Sequence, residues 1–89
     1  MTMQELIEAR LTEALAPSRL VVRDESHLHA GPAGAREGGE THYRVEVVSE
    51  RFMGKTRVER HRLVNAALEP AFARGLHALA VQAKTPAES

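Results

Sequence analysis

The sequence predicts an α+β domain in which helices cover one face of a three-stranded mixed sheet. Three observations predict it. Thr2 with Glu5 and Thr56 with Glu59 share the three-residue spacing of a capping box, and each opens an apolar stripe of helical period. Thr41 to Ser49 alternates apolar and polar residues, the mark of a half-buried strand. A third apolar run, Leu76 to Ala83, follows Gly75, a residue suited to ending a helix. Stripes of this kind are buried most simply by laying the helices on the sheet.

The first helix starts at once, with Met3, Leu6, Ile7, Leu11, Ala14 and Leu15 recurring at three- and four-residue intervals. Arg10 falls at the edge of that stripe, where its stem packs and its guanidinium reaches water. Pro17 stops the helix. Leu20, Val21 and Val22 place the first strand over Arg19 to Ser26. From His27 to Gly39 four glycines and a proline break all periodicity, which predicts a long loop, and loops of that length are functional or disordered. The second strand over Thr41 to Ser49 sets Tyr43, Val45 and Val47 against His42, Arg44 and Glu46, and is expected antiparallel to the first.

Glu50 to Lys55 reads as a turn or short helical piece in which Phe52 plugs the core and Gly54 permits a tight bend. Behind Thr56 and Glu59, a stripe of Val64, Ala67, Leu68, Ala71 and Phe72 predicts a second helix, kinked or divided near Glu69 by Pro70. In the last strand Leu76, Ala78 and Ala80 point one way and His77, Leu79 and Val81 the other, both faces apolar, which predicts a place inside the sheet with His77 at its entrance. The domain is expected over residues 1–86, with 87–89 a disordered tail.

With 89 residues, one small core is all the chain supports, and that marginal size predicts partners. Twelve Lys and Arg balance twelve Asp and Glu, so any attraction to nucleic acid is local rather than global. No run approaches the roughly 18 apolar residues of a membrane helix, and no secretory leader is recognisable, so the expected address is cytoplasmic, with no membrane partner. The absence of cysteine excludes disulfides, thiol nucleophiles and self-contained thiolate metal sites. No nucleophile elbow, phosphate-cradling glycine loop or metalloprotease motif is present, and the chain is expected not to be an enzyme.

Chemistry therefore falls to the five histidines, at 27, 29, 42, 61 and 77. His77 stands at a strand end, where a ring is either satisfied by backbone carbonyls or free to act as a ligand. His27 and His29 lie in the loop. His42 shares a polar strand face with Arg44 and Glu46, which predicts a solvated role, and His61 lies beside a buried stripe and reads as packing. Lys55, Arg57, Arg60 and Arg62 surround the start of the second helix, the best nucleic-acid feature of the chain. Only Gly54 lies in that region, so the Gly-x-x-Gly clamp of KH domains is missing.

Five separated blocks then carry a resemblance: Asp24, Glu25 and Ser26 leading to His29; Thr41, His42 and Tyr43; Val48, Ser49, Phe52 and Gly54; Arg60, His61, Arg62, Leu63, Val64 and Asn65; and Leu76, His77, Ala78 and Leu79. In that order and spacing, from about Ile7 to Pro86, the chain resembles the BolA family. The resemblance implies a fold similar to class II KH domains, helix-strand-strand-helix(-helix)-strand. It also implies partnership with a monothiol glutaredoxin and a shared two-iron, two-sulfur cluster, in cluster trafficking or iron regulation. His77 corresponds to the family's C-terminal cluster ligand, and His29 to the loop ligand, with His27 the substitute.

The donor arithmetic agrees with sharing. Two imidazoles on one iron and two sulfurs on the other is an arrangement found in Rieske centres, and this chain has no sulfur ligand to give. The sulfurs are expected from a glutaredoxin cysteine and glutathione, with no cofactor held by the isolated chain, which is expected as a monomer or weak homodimer. The alternative that the family also implies is a DNA-binding transcriptional regulator, here using Lys55, Arg57, Arg60 and Arg62.

Overall fold

A computed structural model describes residues 2–25 and 42–89. The elements run α1 (Met3–Leu15), β1 (Arg19–Asp24), β2 (His42–Val48), a single 3₁₀ turn (Glu50–Phe52), α2 (Arg57–Ala67), α3 (Glu69–Ala73) and β3 (Ala78–Lys84). The glycine-rich stretch from His27 to Gly39, with His27 and His29, lies outside the described residues.

Both expected capping boxes form. The Thr2 hydroxyl accepts from the Glu5 amide at 3.1 Å while the Glu5 carboxylate accepts from the Thr2 amide at 2.8 Å. Thr56 and Glu59 repeat the exchange at 3.2 and 2.8 Å. Each box satisfies amide donors that a helix start leaves open. At the other end of α1, Ala16 turns into the left-handed region ahead of Pro17. The carbonyls released there are taken from afar: the Ser49 hydroxyl donates to Leu15 at 2.7 Å and Arg51 Nη1 to Ala14 at 2.6 Å. Arg10, whose side chain is 41% exposed, also donates Nε to the carbonyl of Ala67 at 3.2 Å and so ties α1 to the end of α2.

The sheet order is β1-β2-β3. β1 and β2 are antiparallel, from Arg19 opposite Val48 to Asp24 opposite Tyr43. β2 and β3 are parallel, from His42 opposite Ala78 to Val48 opposite Lys84. One face carries Leu20 and Val22, then Tyr43, Val45 and Val47, then Leu79, Val81 and Ala83, and packs with Ile7, Leu11, Phe52, Val64 and Leu68 into one core. Phe52 plugs that core as expected, with no exposed surface. Burial of each such side chain contributes about 1.5–3 kcal/mol, so the shared helix-facing side of the sheet is what holds the fold.

Three expectations are corrected. The last strand is not inside the sheet: β2 is central and β3 is an edge. The misleading signal was Ala78 and Ala80, small apolar residues that an open face tolerates, while only Leu79, Val81 and Ala83 face the helices. The second helix is divided at Leu68 into α2 and α3, as Pro70 foretold, but the break swings Phe72 off the buried stripe and leaves it 38% exposed. Residues 87–89, expected as a disordered tail, are in part held in a turn, in which the Glu88 amide donates to the carbonyl of the buried Thr85 at 3.0 Å.

Candidate functional site

His77 is presented by a short, well-anchored passage. Gly75, at φ 117°, ends α3 in a conformation that suits glycine, and Leu76 is buried with its amide on the Ala71 carbonyl at 3.1 Å. β3 begins one residue later, at Ala78. Fixed on both sides, the backbone holds the His77 side chain exposed at one end of the sheet. A side chain carried on rigid elements keeps its aim, which is what a metal ligand needs.

The register of β2 against β3 brings a second imidazole there. His42 lies opposite Ala78, and its ring meets that of His77 with centroids 5.5 Å apart and planes at 62°, edge to face. The sequence placed His42 on a solvated polar face; it does share that side of β2 with Arg44 and Glu46, but its neighbour is His77. The missing signal was the parallel pairing, which no local pattern encodes.

Glu25, the last described residue before position 26, reaches the same corner. The Glu25 amide donates to the His42 carbonyl at 2.9 Å, carrying the β1–β2 ladder one step beyond Asp24. Arg44 Nε lies 3.3 and 3.2 Å from the two Glu25 carboxylate oxygens, across the open face. Glu25 and His42, the described residues on either side of positions 26–41, therefore both stand at this corner. His27 and His29 follow Glu25 by two and four positions in the chain, and their positions lie outside the described residues.

The donor set fits a shared cluster and does not fit a self-sufficient one. The chain has no cysteine, and among the described residues no three His, Asp or Glu side chains group as a metal site. Imidazole nitrogens are what this corner offers. A cluster with two irons normally takes four ligands, so one held here would need donors from another molecule.

The second candidate is the basic start of α2. Lys55, Arg57, Arg60 and His61 line a cleft of about 510 Å³ with Lys84 and Glu88. Arg60 is committed to the fold: Nε donates to the Lys55 carbonyl at 3.0 Å, Nη1 to the Ala83 carbonyl at 3.2 Å, and the guanidinium grips Glu88 with contacts of 2.6 and 3.3 Å. Its side chain is only 14% exposed. Arg57 and Arg62 remain exposed. Of the four expected nucleic-acid contacts, then, one is an internal clasp.

Glu88 was not singled out, although Thr85 and Glu88 have the same three-residue spacing as both capping boxes. The Glu88 carboxylate accepts from the Thr85 amide at 2.8 Å. Arg60, then that amide, hold its carboxyl down at about 2, well below the usual range.

Residues 11–88 match the model of the BolA-like protein family. The chain is 54% identical over 82 residues to BolA-like protein 1 of Mus musculus, covering 92% of this chain and 57% of the relative, so it spans little more than half that protein's length. It is 45% identical over 86 residues to SufE-like protein 1, chloroplastic/mitochondrial, of Arabidopsis thaliana, covering 92% of this chain and 23% of the relative. The solved BolA domain of SufE1 from Arabidopsis thaliana superposes with a TM-score of 0.88 at 42% identity, over 100% of this chain and 98% of that one.

Proposed function

The chain belongs to the BolA-like family, and from that premise we propose that it partners a monothiol glutaredoxin and shares a two-iron, two-sulfur cluster with it, in cluster trafficking or iron regulation. The observation that carries the proposal is the exposed His77 imidazole, held on a rigid passage beside both anchors of the segment that contains His27 and His29. When bound, the cluster supplies one-electron chemistry and exchangeable iron and sulfide. The chain's own part is to hold and orient. His77 lends the fixed nitrogen, and His29 lends the second, with His27 as its substitute. His42 braces the His77 ring edge to face and limits its rotation.

Sharing follows from chemistry rather than from shape. A chain without thiolates holds iron–sulfur clusters poorly alone, and a partner that brings a cysteine and glutathione completes the shell. Mixing the protein with a cluster-loaded monothiol glutaredoxin tests this by visible circular dichroism. A new spectrum that saturates is expected; a spectrum equal to the sum of the parts overturns the proposal.

A second reading is favoured by the cleft at the start of α2, where Lys55, Arg57, Arg60 and Lys84 set four permanent cations against the carboxylate of Glu88. There the chain would contact a nucleic-acid backbone, with Arg57 and Arg62 as the exposed cations. Duplex affinity that falls steeply with salt and weakens on Arg62→Ala is expected; salt-insensitive or absent binding removes this reading.

A further inference from the structure

We propose that the cleft between the start of α2 and the end of β3 is an oxyanion site for a phosphoryl group, kept closed by the chain's own Glu88 carboxylate. The proposal goes beyond the nucleic-acid reading, since a small phosphate suffices for it.

The geometry separates what builds the site from what fills it. Two backbone carbonyls, those of Lys55 and Ala83, orient the Arg60 guanidinium through Nε and Nη1. Neither contact involves Glu88. With Glu88 gone the two carbonyl contacts would keep the guanidinium aimed across a cleft that Lys55, Arg57 and Lys84 also line. Glu88 is the replaceable part. Its side chain is 48% exposed and it rides on a four-residue turn, whereas Thr85 at the root of that turn is buried.

What Glu88 now receives describes the ligand class. One carboxylate oxygen takes Arg60 Nη1 at 2.6 Å and the Thr85 amide at 2.8 Å, and the other takes Nη2 at 3.3 Å. A guanidinium fork plus a backbone amide is the donor set that phosphoryl oxygens take equally well, and a phosphoryl group brings more negative charge to the surrounding cations. The Thr56 and Glu59 amides at the start of α2 are already used by their capping box, and the site is drawn from Arg60 and the Thr85 amide instead. Acid does not open the clasp near neutrality, because the carboxylate stays ionised there. Competition opens it, and an incoming oxyanion must displace Glu88 from both Arg60 and Thr85.

The test titrates the full chain and its Glu88→Gln variant with inorganic phosphate and, separately, with a short DNA duplex at low ionic strength, followed by amide and Arg60 Nε–H resonances. Glu88→Gln should bind roughly three- to fivefold tighter, the scale of an exposed charge pair removed as competitor. In the wild type itself, phosphate should move the Thr85 amide and Arg60 Nε–H most. A gain for phosphate and duplex alike, or for phosphate alone, marks a small-oxyanion site; a gain for the duplex alone would overturn it in favour of the nucleic-acid reading. Equal affinities of the two proteins, no saturable binding by Glu88→Gln, or a Thr85 amide that does not move at saturation would overturn the proposal. No gain from Glu88→Gln for phosphate or duplex, with duplex binding weakened by Arg62→Ala, would sink it while leaving the nucleic-acid reading intact.

Discussion

His42 and His77 meet edge to face across the β2–β3 pairing, their ring centroids 5.5 Å apart, although 35 positions separate them in the chain. Parallel pairing puts them there, and the hydrogen bond from the Glu25 amide to the His42 carbonyl puts Glu25 at the same corner. A rigid imidazole thus sits beside the root of the chain segment that holds two more.

The brace and ligand roles separate by mutation. His42→Ala should leave the protein able to form the mixed cluster species, with shifted visible circular dichroism and faster cluster loss. His29→Ala should lower the yield of that species, and His27→Ala should matter most in the His29→Ala background. If His42→Ala abolishes the species while His29→Ala does not, the second nitrogen comes from β2.

Ser49 is 1% exposed and its hydroxyl works twice, donating to the Leu15 carbonyl at 2.7 Å and accepting from the Arg51 amide at 3.1 Å. Ser49→Ala leaves a buried carbonyl without that donor. A loss of about 1–3 kcal/mol is expected, read as a lower urea midpoint with unchanged slope.

The Glu88 clasp shapes stability in acid. Its carboxyl falls from an ordinary 4.5 to about 2 in the folded chain, so its contribution is complete above 4.5 and disappears as the pH falls towards 2. Wild type should therefore lose stability more steeply across that window than Glu88→Gln. Parallel acid-unfolding curves would show that Arg60 and Glu88 are not coupled in solution.

Gly54 has a φ of 74° at the turn into α2, and an added Cβ there would meet nothing within 4 Å. The cost of Gly54→Ala is backbone strain alone. About 1–2 kcal/mol is expected in denaturant unfolding, with the visible spectra of the mixed cluster species unaltered.

What could be read from the chain was what neighbours decide. The boxes at Thr2 and Thr56 close over three residues, Pro17 and Pro70 act where they stand, and the alternation of Tyr43, Val45 and Val47 needs no knowledge of a partner strand. Sheet order does need it. Ala78 and Ala80 read as buried because small apolar residues carry no sign of which face they occupy, and so an edge strand passed for an inner one. His77 was singled out through family resemblance, whereas its contact with His42 depended on strand register. Arg60 looked like a surface cation among others until the turn at Thr85 folded Glu88 onto it.

The most direct test counts histidine nitrogens magnetically coupled to the reduced cluster in the complex with a monothiol glutaredoxin, by electron–nuclear double resonance. Two coupled imidazole nitrogens are expected with wild type. His77→Ala, whose side chain is exposed and whose loss should leave the fold intact, should remove one of the two. A wild-type complex with no coupled imidazole, or a coupling unchanged in His77→Ala, would contradict the account.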